Sequence, residues 1–389
     1  MRFGLCAKFE KHLKMNGPKL VWSSVIHVAF SETYALDKAG LSIVGVRLPP
    51  MISRRTIDLG FAFTFALTLT LLGAANSVRS QIKAPARNFE FIYLARIPAL
   101  PPDSKALTVW IPLPQSDRYQ TISGLKIECP FPYTTHRDPE YGNEYLYAQV
   151  PAGPALKEVR VTFQVTRQEH RVDFDVHPSS APLAGADPSS LQRFLQPDRR
   201  VPLQGVIADL AAQETRGIQD PLEKARAIYN YVIATMRYDK SGTGWGNGDA
   251  IWACTSKRGN CTDFHSLLIG MMRSAGIPAR FEIGFPLPAD KHEGAIPGYH
   301  CWAQFYVEPY GWIPVDASEA WKHPEKKNYF FGAHDDSRLQ FTVGRDIRLD
   351  PPQQGDPLNY FIYPYAELDG KPLAIESNFA FQDRMSSSD

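Results

Sequence analysis

Cys261 stands where a loop ending in Gly259 and Asn260 turns into an amphipathic helix. The apolar residues that follow it share one face of a helix about four turns long; they are Phe264, Leu267, Leu268, Met271, Met272 and Ala275. In a first turn, unpaired backbone N–H groups and the helix dipole favour the thiolate, which is the form of cysteine that attacks carbonyl groups. An isolated cysteine is more often an inert core residue, so the assignment of a nucleophile depends on its partners.

A thiol nucleophile needs an imidazole that takes its proton and a carboxylate that fixes the imidazole. His300 begins one predicted strand and Asp316 ends the next. A four-residue hairpin loop would place Asp316 opposite Ala303, on the wrong face. An odd loop pairs Trp302 with Asp316 and brings His300 within reach as the diagonal neighbour. The triad hypothesis therefore predicts an odd loop or a bulge in this hairpin.

Other polar residues near Cys261 have simpler interpretations. His265, one helical turn later, is a rival base, but it falls toward the polar side of the helix and is interpreted as a structural histidine. Asp263 is a first-turn carboxylate that suits the helix dipole. Asn260 is interpreted as a helix cap rather than an oxyanion donor.

Four sequence blocks, in order, resemble the core motifs of the transglutaminase-like superfamily in its bacterial exported branch. They are Gly259-Asn260-Cys261-Thr262-Asp263-Phe264-His265, Gly276-Ile277-Pro278-Ala279-Arg280, Tyr299-His300-Cys301-Trp302 and Gly311-Trp312-Ile313-Pro314-Val315-Asp316. The resemblance is strongest over residues 205 to 335. It implies a papain-like α+β core in which Cys261 is the nucleophile, His300 the general base and acid, and Asp316 the residue that orients the imidazole.

The resemblance also raises the question of an oxyanion donor. In the better-known members a tryptophan upstream of the cysteine helps to hold the oxyanion, and here Trp245 is the candidate, with Trp252 as its rival. Trp245 lies in a glycine-spaced loop, 241 to 249, which is interpreted either as a lid or as a mobile surface loop. Cys301, directly after the histidine, departs from the general pattern, which does not explain it.

The predicted fold class is α+β, with an N-terminal β-sandwich followed by a papain-like, transglutaminase-like core in which the cysteine helix packs on an antiparallel sheet. Residues 87–170 read as short strands divided by prolines and turns. Residues 171–200 are rich in Pro, Ser, Ala and Asp and are predicted to be a linker. Residues 201–382 are assigned to the core with further C-terminal strands.

The region before residue 87 is predicted to lie outside the fold. Residues 51–80 have the basic start, apolar run and small residues of an export signal. The apolar run is shorter than a membrane-spanning helix, so no stable span is expected after cleavage. Residues 1–50 would block such a signal and are interpreted as a mis-assigned, disordered extension. The mature protein is thus predicted to be periplasmic or secreted.

Export changes how the cysteines are interpreted, because an oxidising compartment favours disulfides. If Cys261 must stay free, Cys254 and Cys301 are the candidate disulfide pair, since both flank it in sequence. Cys129 is then a lone buried thiol.

The chain of 389 residues is 44% hydrophobic and 21% charged, with a formal net charge of +1. It has no basic run, so nucleic-acid binding is not predicted. The predicted activity is acyl transfer or hydrolysis at amide bonds of a protein or peptide substrate, without a cofactor; no acidic loop resembles a calcium site. The alternatives are a non-catalytic peptide- or cell-wall-binding module, or a zinc site with the ligands Cys254, Cys261, His265 and Cys301.

Overall fold

The computed structural model describes residues 86–105, 107–153, 155–175 and 188–384. The predicted extension and export signal, residues 1–50 and 51–80, lie outside these ranges. None of the helices that the structure describes has the length and apolarity needed to cross a membrane.

The N-terminal part consists of strands, as its proline-divided alternating pattern predicts. They are β1 (Ala86–Ile97), β2 (Leu107–Pro112), β3 (Gln120–Glu128), β4 (Tyr133–Arg137), β5 (Glu144–Val150), β6 (Lys157–Gln168) and β7 (His170–Arg171). Six of these, β1 to β6, divide between two five-stranded antiparallel sheets. Buried residues of both sheets, such as Phe91 and Val109, belong to one hydrophobic cluster. The packing of the two sheets as a sandwich stays a prediction.

The C-terminal strands return to these sheets, which corrects the domain boundary. β16 (Tyr365–Leu368) pairs with β2, and β18 (Glu376–Asp383) pairs with β1 along eight residues, including Phe91 opposite Phe381. β11 (Glu293–Ile296) extends the same sheet beside β18, and β17 (Lys371–Pro372) lies at the edge of the other. The assignment of residues 201–382 to the core is therefore wrong at its C-terminal end.

The predicted linker contains a short helix, α1 (Pro188–Leu191), followed by a 3₁₀ helix, Gln192–Leu195. Its end is fastened to the core through a buried ion pair, because Arg273 Nη1 donates to Asp198 Oδ2 at 2.8 Å. The described part of the linker thus packs on the core.

Five helices surround the core. They are α2 (Val206–Glu214), α3 (Pro221–Thr235), α4 (Ala250–Ser256), α5 (Cys261–Ser274) and α6 (Ala317–Lys322). Helix α3 begins with Pro221 in its first turn and with the Asp220 carboxylate accepting the N–H of Glu223 at 2.9 Å. Helix α5 is buried from Cys261 to Arg273, so it is enclosed on all sides rather than amphipathic against solvent.

The cysteine helix packs on a four-stranded sheet with the order β13-β12-β10-β15. These strands are β10 (Ala279–Pro286), β12 (His300–Val307), β13 (Gly311–Val315) and β15 (Arg338–Val343). Short pairs join β8 (Arg237–Tyr238) to β9 (Arg258–Gly259) and β14 (Ala333–His334) to β7. All residues of β12 are buried, which fixes the position of its first residue, His300, against α5. The mixed α and β core, with its helix on an antiparallel sheet, agrees with the predicted class.

Candidate active site

Cys261 occupies the first position of α5, and its neighbours supply the cap. The Asn260 side chain accepts the backbone N–H of Thr262 at 2.9 Å and that of Asp263 at 3.4 Å, while Asp263 Oδ2 accepts the N–H of Asn260 at 3.0 Å. The N–H of Phe264 bonds to the carbonyl of Asn260. Among the described residues, the backbone N–H of Cys261 is the one in this first turn that has no acceptor.

The hairpin has the odd register that the sequence requires. Val307 pairs with Gly311 and Ala303 with Val315, so residues 308 to 310 form the loop. Continuing this register sets Asp316 opposite Trp302. His300 Nε2 then donates to Asp316 Oδ2 at 2.7 Å, and both side chains are buried. This prediction about the hairpin is confirmed.

Asp316 divides its two carboxylate oxygens between two tasks. Oδ1 caps helix α6, accepting the N–H of Glu319 at 2.9 Å and the hydroxyl of Ser318 at 3.0 Å. Oδ2 accepts from His300 and, at 3.3 Å, from Arg338 Nη1. Burial raises the pKa of Asp316, but the positive charge and hydrogen bond of His300, with smaller contributions from His265 and Arg338, hold this pKa well below its usual range.

The thiol of Cys261 and the imidazole of His300 each shift the pKa of the other. Because Nε2 of His300 is bound to Asp316, Nδ1 is the nitrogen that remains for the sulfur. Burial lowers the pKa of His300, but Asp316 and Cys261 outweigh it and raise the pKa to about 10. Burial raises the pKa of Cys261, whereas hydrogen bonds from Cys301 and His300 bring it well below its usual value. These directions favour a thiolate at Cys261 and an imidazolium at His300.

His265 is fully buried, so its predicted position toward the polar side is wrong. The pattern failed because α5 has no solvent face. Its Nδ1–H donates to the carbonyl of Cys261 at 2.8 Å and its Nε2 accepts the N–H of Ala317 at 3.2 Å. Burial lowers its pKa, which agrees with a neutral imidazole. His265 thus ties the start of α5 to the start of α6, as a structural histidine does.

The glycine-spaced loop is fastened at its C-terminal end. Asp263 accepts the N–H groups of Gly246 at 2.6 Å and Gly248 at 3.0 Å, so this carboxylate joins the loop to the cap of α5. From the other side, Arg345 donates to the carbonyls of Gly248 at 2.8 Å and Asn247 at 3.1 Å. Arg345 lies far away in sequence, and no local signal indicated its role.

Among the described residues, neither candidate tryptophan donates its indole N–H to Cys261. The indole N–H of Trp245 donates to the carbonyl of Gly242 at 3.1 Å, within its own loop. The indole of Trp252 lies against Gly244, where an added Cβ would come within 2.6 Å of Nε1. Their assignment as oxyanion donors stays a prediction, and in this conformation Trp245 has already used its donor.

The predicted disulfide is not formed, because Cys254 and Cys301 are free thiols. Cys301 points instead at the start of α5, with Sγ 3.6 Å from Thr262 Oγ1 and 3.9 Å from His265 Nδ1. Within the described ranges, no group of three or more His, Cys, Asp or Glu side chains could hold a metal ion.

A cleft of about 600 Å³ opens beside His300. Its lining carries charges of both signs, namely Glu319, Glu325, Lys326, Asp335, Asp336 and Arg338, together with apolar surface from Tyr329 and Phe330. The volume suits a peptide segment or a small organic group next to the imidazole. No local sequence pattern indicates this cleft, since its lining comes from distant segments.

Comparisons with known proteins match the part of the chain that holds this site. Residues 208–317 match the model of the transglutaminase-like superfamily. An uncharacterized protein of Haemophilus influenzae is 27% identical over 339 residues, which cover 78% of this chain and 91% of that protein. The uncharacterized protein YebA of Bacillus subtilis is 24% identical over 132 residues, covering 30% of this chain and 18% of YebA.

A solved structure shares the fold. The crystal structure of a protein from Cytophaga hutchinsonii, named a putative cysteine protease, superposes with a TM-score of 0.56 at 17% identity, covering 79% of this chain and 94% of that one. At this identity the likeness concerns the fold alone. Residues 208–317, which contain Cys261, His300 and Asp316, therefore form a transglutaminase-like core.

Proposed function

We propose that the protein catalyses thiol-dependent acyl transfer or hydrolysis at amide bonds of proteins or peptides, with Cys261, His300 and Asp316 as its triad. The observation that carries this proposal is the hydrogen bond of 2.7 Å from His300 Nε2 to Asp316, which leaves Nδ1 for the sulfur at the start of α5. A nucleophile, a base and an orienting carboxylate in this order are the parts that thioester chemistry needs.

The reaction follows from the resting protonation states. The Cys261 thiolate attacks the amide carbonyl carbon, and the new oxyanion accepts the free N–H of Cys261 at the positive end of the helix. The His300 imidazolium then gives its proton to the leaving nitrogen, the C–N bond breaks and a thioester remains on Cys261. Neutral His300 finally takes a proton from the acceptor that attacks the thioester.

The acceptor determines the product. An amine gives a new amide, and water gives a carboxylate. His300, which would take the proton of either acceptor, lies in the wall of the cleft, whereas Cys261 is not among its lining residues. Export to the periplasm or medium remains part of the proposal and would give the site protein or peptide substrates outside the cytoplasm.

Haloacetamide labelling followed by peptide mapping tests the thiolate. We expect Cys261 to be labelled from about pH 5 to 9, because its pKa is low. The partly buried Cys129 is an internal control, since burial raises its pKa and restricts its labelling to high pH. His300→Ala should remove the labelling of Cys261 at the acidic end. Labelling of Cys129 but not of Cys261 across the range would contradict the proposal.

Turnover tests the reaction itself. A glutamine-containing peptide should release ammonia, and an added primary amine should be incorporated if the protein is a transferase. Release of ammonia without incorporation identifies a hydrolase acting on the side chain, and cleavage of the peptide identifies a protease. Cys261→Ala is the blank. Equal rates for this variant and the wild type would exclude Cys261 as the nucleophile.

A further inference from the structure

Cys301 brings a second thiol to the nucleophile. It follows His300 on β12, and its side chain is fully buried against the first turn of α5. Its sulfur lies 3.6 Å from Thr262, the residue after Cys261. It also lies 3.9 Å from the His265 nitrogen that bonds to the carbonyl of Cys261 at 2.8 Å. Strand β12 and helix α5 thus place Cys301 beside the helical turn that begins with Cys261.

The two cysteines act on each other's pKa. Cys301 is the first of the neighbours that lower the pKa of Cys261 against the effect of burial. Burial and the neighbouring Cys261 thiolate raise the pKa of Cys301, so it stays a thiol. One thiolate beside one thiol is the arrangement in which an oxidised cysteine can be captured by its neighbour.

Cys301 takes no bond-making part in acyl transfer or hydrolysis. The proposed mechanism takes its base from His300 and its oxyanion donor from the backbone, and Cys301 acts there only by lowering the pKa of Cys261. The remaining buried cysteine of the core, Cys254, lies on α4 and shows no such contact with Cys261 or Cys301. The contact with the nucleophile therefore singles out Cys301.

We propose that Cys261 and Cys301 form a reversible oxidative modification site, which takes hydrogen peroxide and closes as a disulfide. The inference rests on the proposed function for its consequence, since the disulfide removes the nucleophile and stops turnover. The closed form also protects Cys261 from irreversible oxidation.

The chemistry balances in two steps. The Cys261 thiolate attacks one oxygen of hydrogen peroxide, the O–O bond breaks, and sulfenic acid and hydroxide form; this hydroxide takes the imidazolium proton of His300 to give the first water. The sulfur of Cys301 then attacks the sulfur of Cys261, the S–O bond breaks, and the released hydroxide takes the proton of Cys301 to give the second water. Overall the two cysteine sulfurs lose two electrons, His300 and Cys301 lose one proton each, and one peroxide becomes two waters. A dithiol reductant reverses the disulfide by thiol exchange.

The test starts with the full chain and limited hydrogen peroxide. Peptide mapping without reduction should find the Cys261 and Cys301 peptides joined, with the loss of two free thiols. Activity should fall with the appearance of this link and return to more than about half its starting value after dithiothreitol, because a disulfide is reducible.

Cys301→Ala is the informative variant, and Cys254→Ala is its matched control. In Cys301→Ala, peroxide should carry Cys261 to sulfinic acid, and dithiothreitol should restore less than about a tenth of that variant's own starting activity. Cys254→Ala should behave like the wild type. If Cys301→Ala does not fold, Cys301→Ser and the wild-type map still decide the matter.

Two results would overturn the inference. One is sulfinic acid at Cys261 in the wild type with the same yield as in Cys301→Ala, and the other is a disulfide that joins Cys301 to Cys254. The mapping needs no turnover, so it separates this inference from the proposed function. A disulfide without amide chemistry refutes only the function, and amide chemistry without the disulfide refutes only the switch.

Discussion

Two helix starts hold the site, and they use their capping residues differently. At α5 the cap is Asn260, so the neighbouring Cys261 takes no part in capping through its side chain. At α6 the cap is Asp316 itself, which also binds His300. At the start of α5, capping and catalysis belong to two adjacent residues, Asn260 and Cys261. At the start of α6, the Asp316 carboxylate has both roles.

This difference has a physical reason. A thiolate is a weak hydrogen-bond acceptor and must stay open to substrate, so an amide beside it is the better cap. A carboxylate has two oxygens and several lone pairs, so Asp316 can cap with Oδ1 and orient His300 with Oδ2. At α5, capping and catalysis should therefore be tested by substitutions at two different residues, Asn260 and Cys261. At α6, they should be tested by two different substitutions of one residue, Asp316.

The largest effect is expected for Asp316→Asn. Asparagine caps a helix well, so Oδ1 keeps its role, but the charge beside His300 is lost. We expect kcat to fall by about 10³- to 10⁴-fold. Asp316→Ala should lose as much activity and about 1 kcal/mol more of unfolding free energy, because it also loses the cap. Steady-state kinetics and urea unfolding measure the two effects.

The pH profile of kcat/KM tests whether the Asp316 carboxylate raises the pKa of His300. His300 must be protonated to release the leaving nitrogen, and its raised pKa of about 10 places the basic limb near that pH. Without the charge of Asp316 the imidazolium is less stable, so Asp316→Asn should move the limb to lower pH. An unchanged limb would mean that Asp316 acts on the fold alone.

At α5 the carboxylate that resembles Asp316 in having two roles is Asp263, since it accepts the N–H of Asn260 in the cap and also binds the glycine-spaced loop. Asp263→Ala leaves three N–H groups without this acceptor, two of them buried (Gly248 and Asn260) and one partly buried (Gly246). We expect a loss of about 3 kcal/mol in unfolding free energy. Asp263→Asn, which keeps one acceptor oxygen, should lose less. Equal losses, measured by urea unfolding, would show that the charge and not the hydrogen bonding matters here.

Substitution of Asn260 should lower the unfolding free energy by less than Asp263→Ala does, because only the helix cap is lost. Asn260→Ala is expected to reduce the unfolding free energy by about 1 kcal/mol, and Asn260→Ser should recover most of it, because serine also caps. Labelling of Cys261 at acidic pH should persist in the folded fraction of both variants, since the contact between Cys261 and His300 remains. Loss of that labelling in Asn260→Ser would place Asn260 in the chemistry.

The same contrast explains what the sequence could predict. The cysteine helix, its cap and the hairpin register follow from helical spacing, strand alternation and loop parity, which are local. The roles of Arg338 and Arg345 depend on residues far apart in the chain, and alternation could not tell which sheet β18 joins. His265 was misplaced because a polar residue on a helix is assumed to face solvent, and α5 has no such face.

Substitution of Trp245 should have the smallest effect on kcat. It tests whether the glycine-spaced loop takes part in catalysis at Cys261. Its indole N–H already bonds to the carbonyl of Gly242, so it is not free to hold an oxyanion unless the loop rearranges. If the loop keeps this conformation, Trp245→Phe should change kcat by less than about twofold, because no contact with the transition state is lost. A loss of about 10²-fold would instead indicate that the indole leaves Gly242 and binds the oxyanion during turnover. Since the Asp263 carboxylate holds Gly246 and Gly248 in either case, only the part of the loop before Gly246 would need to move.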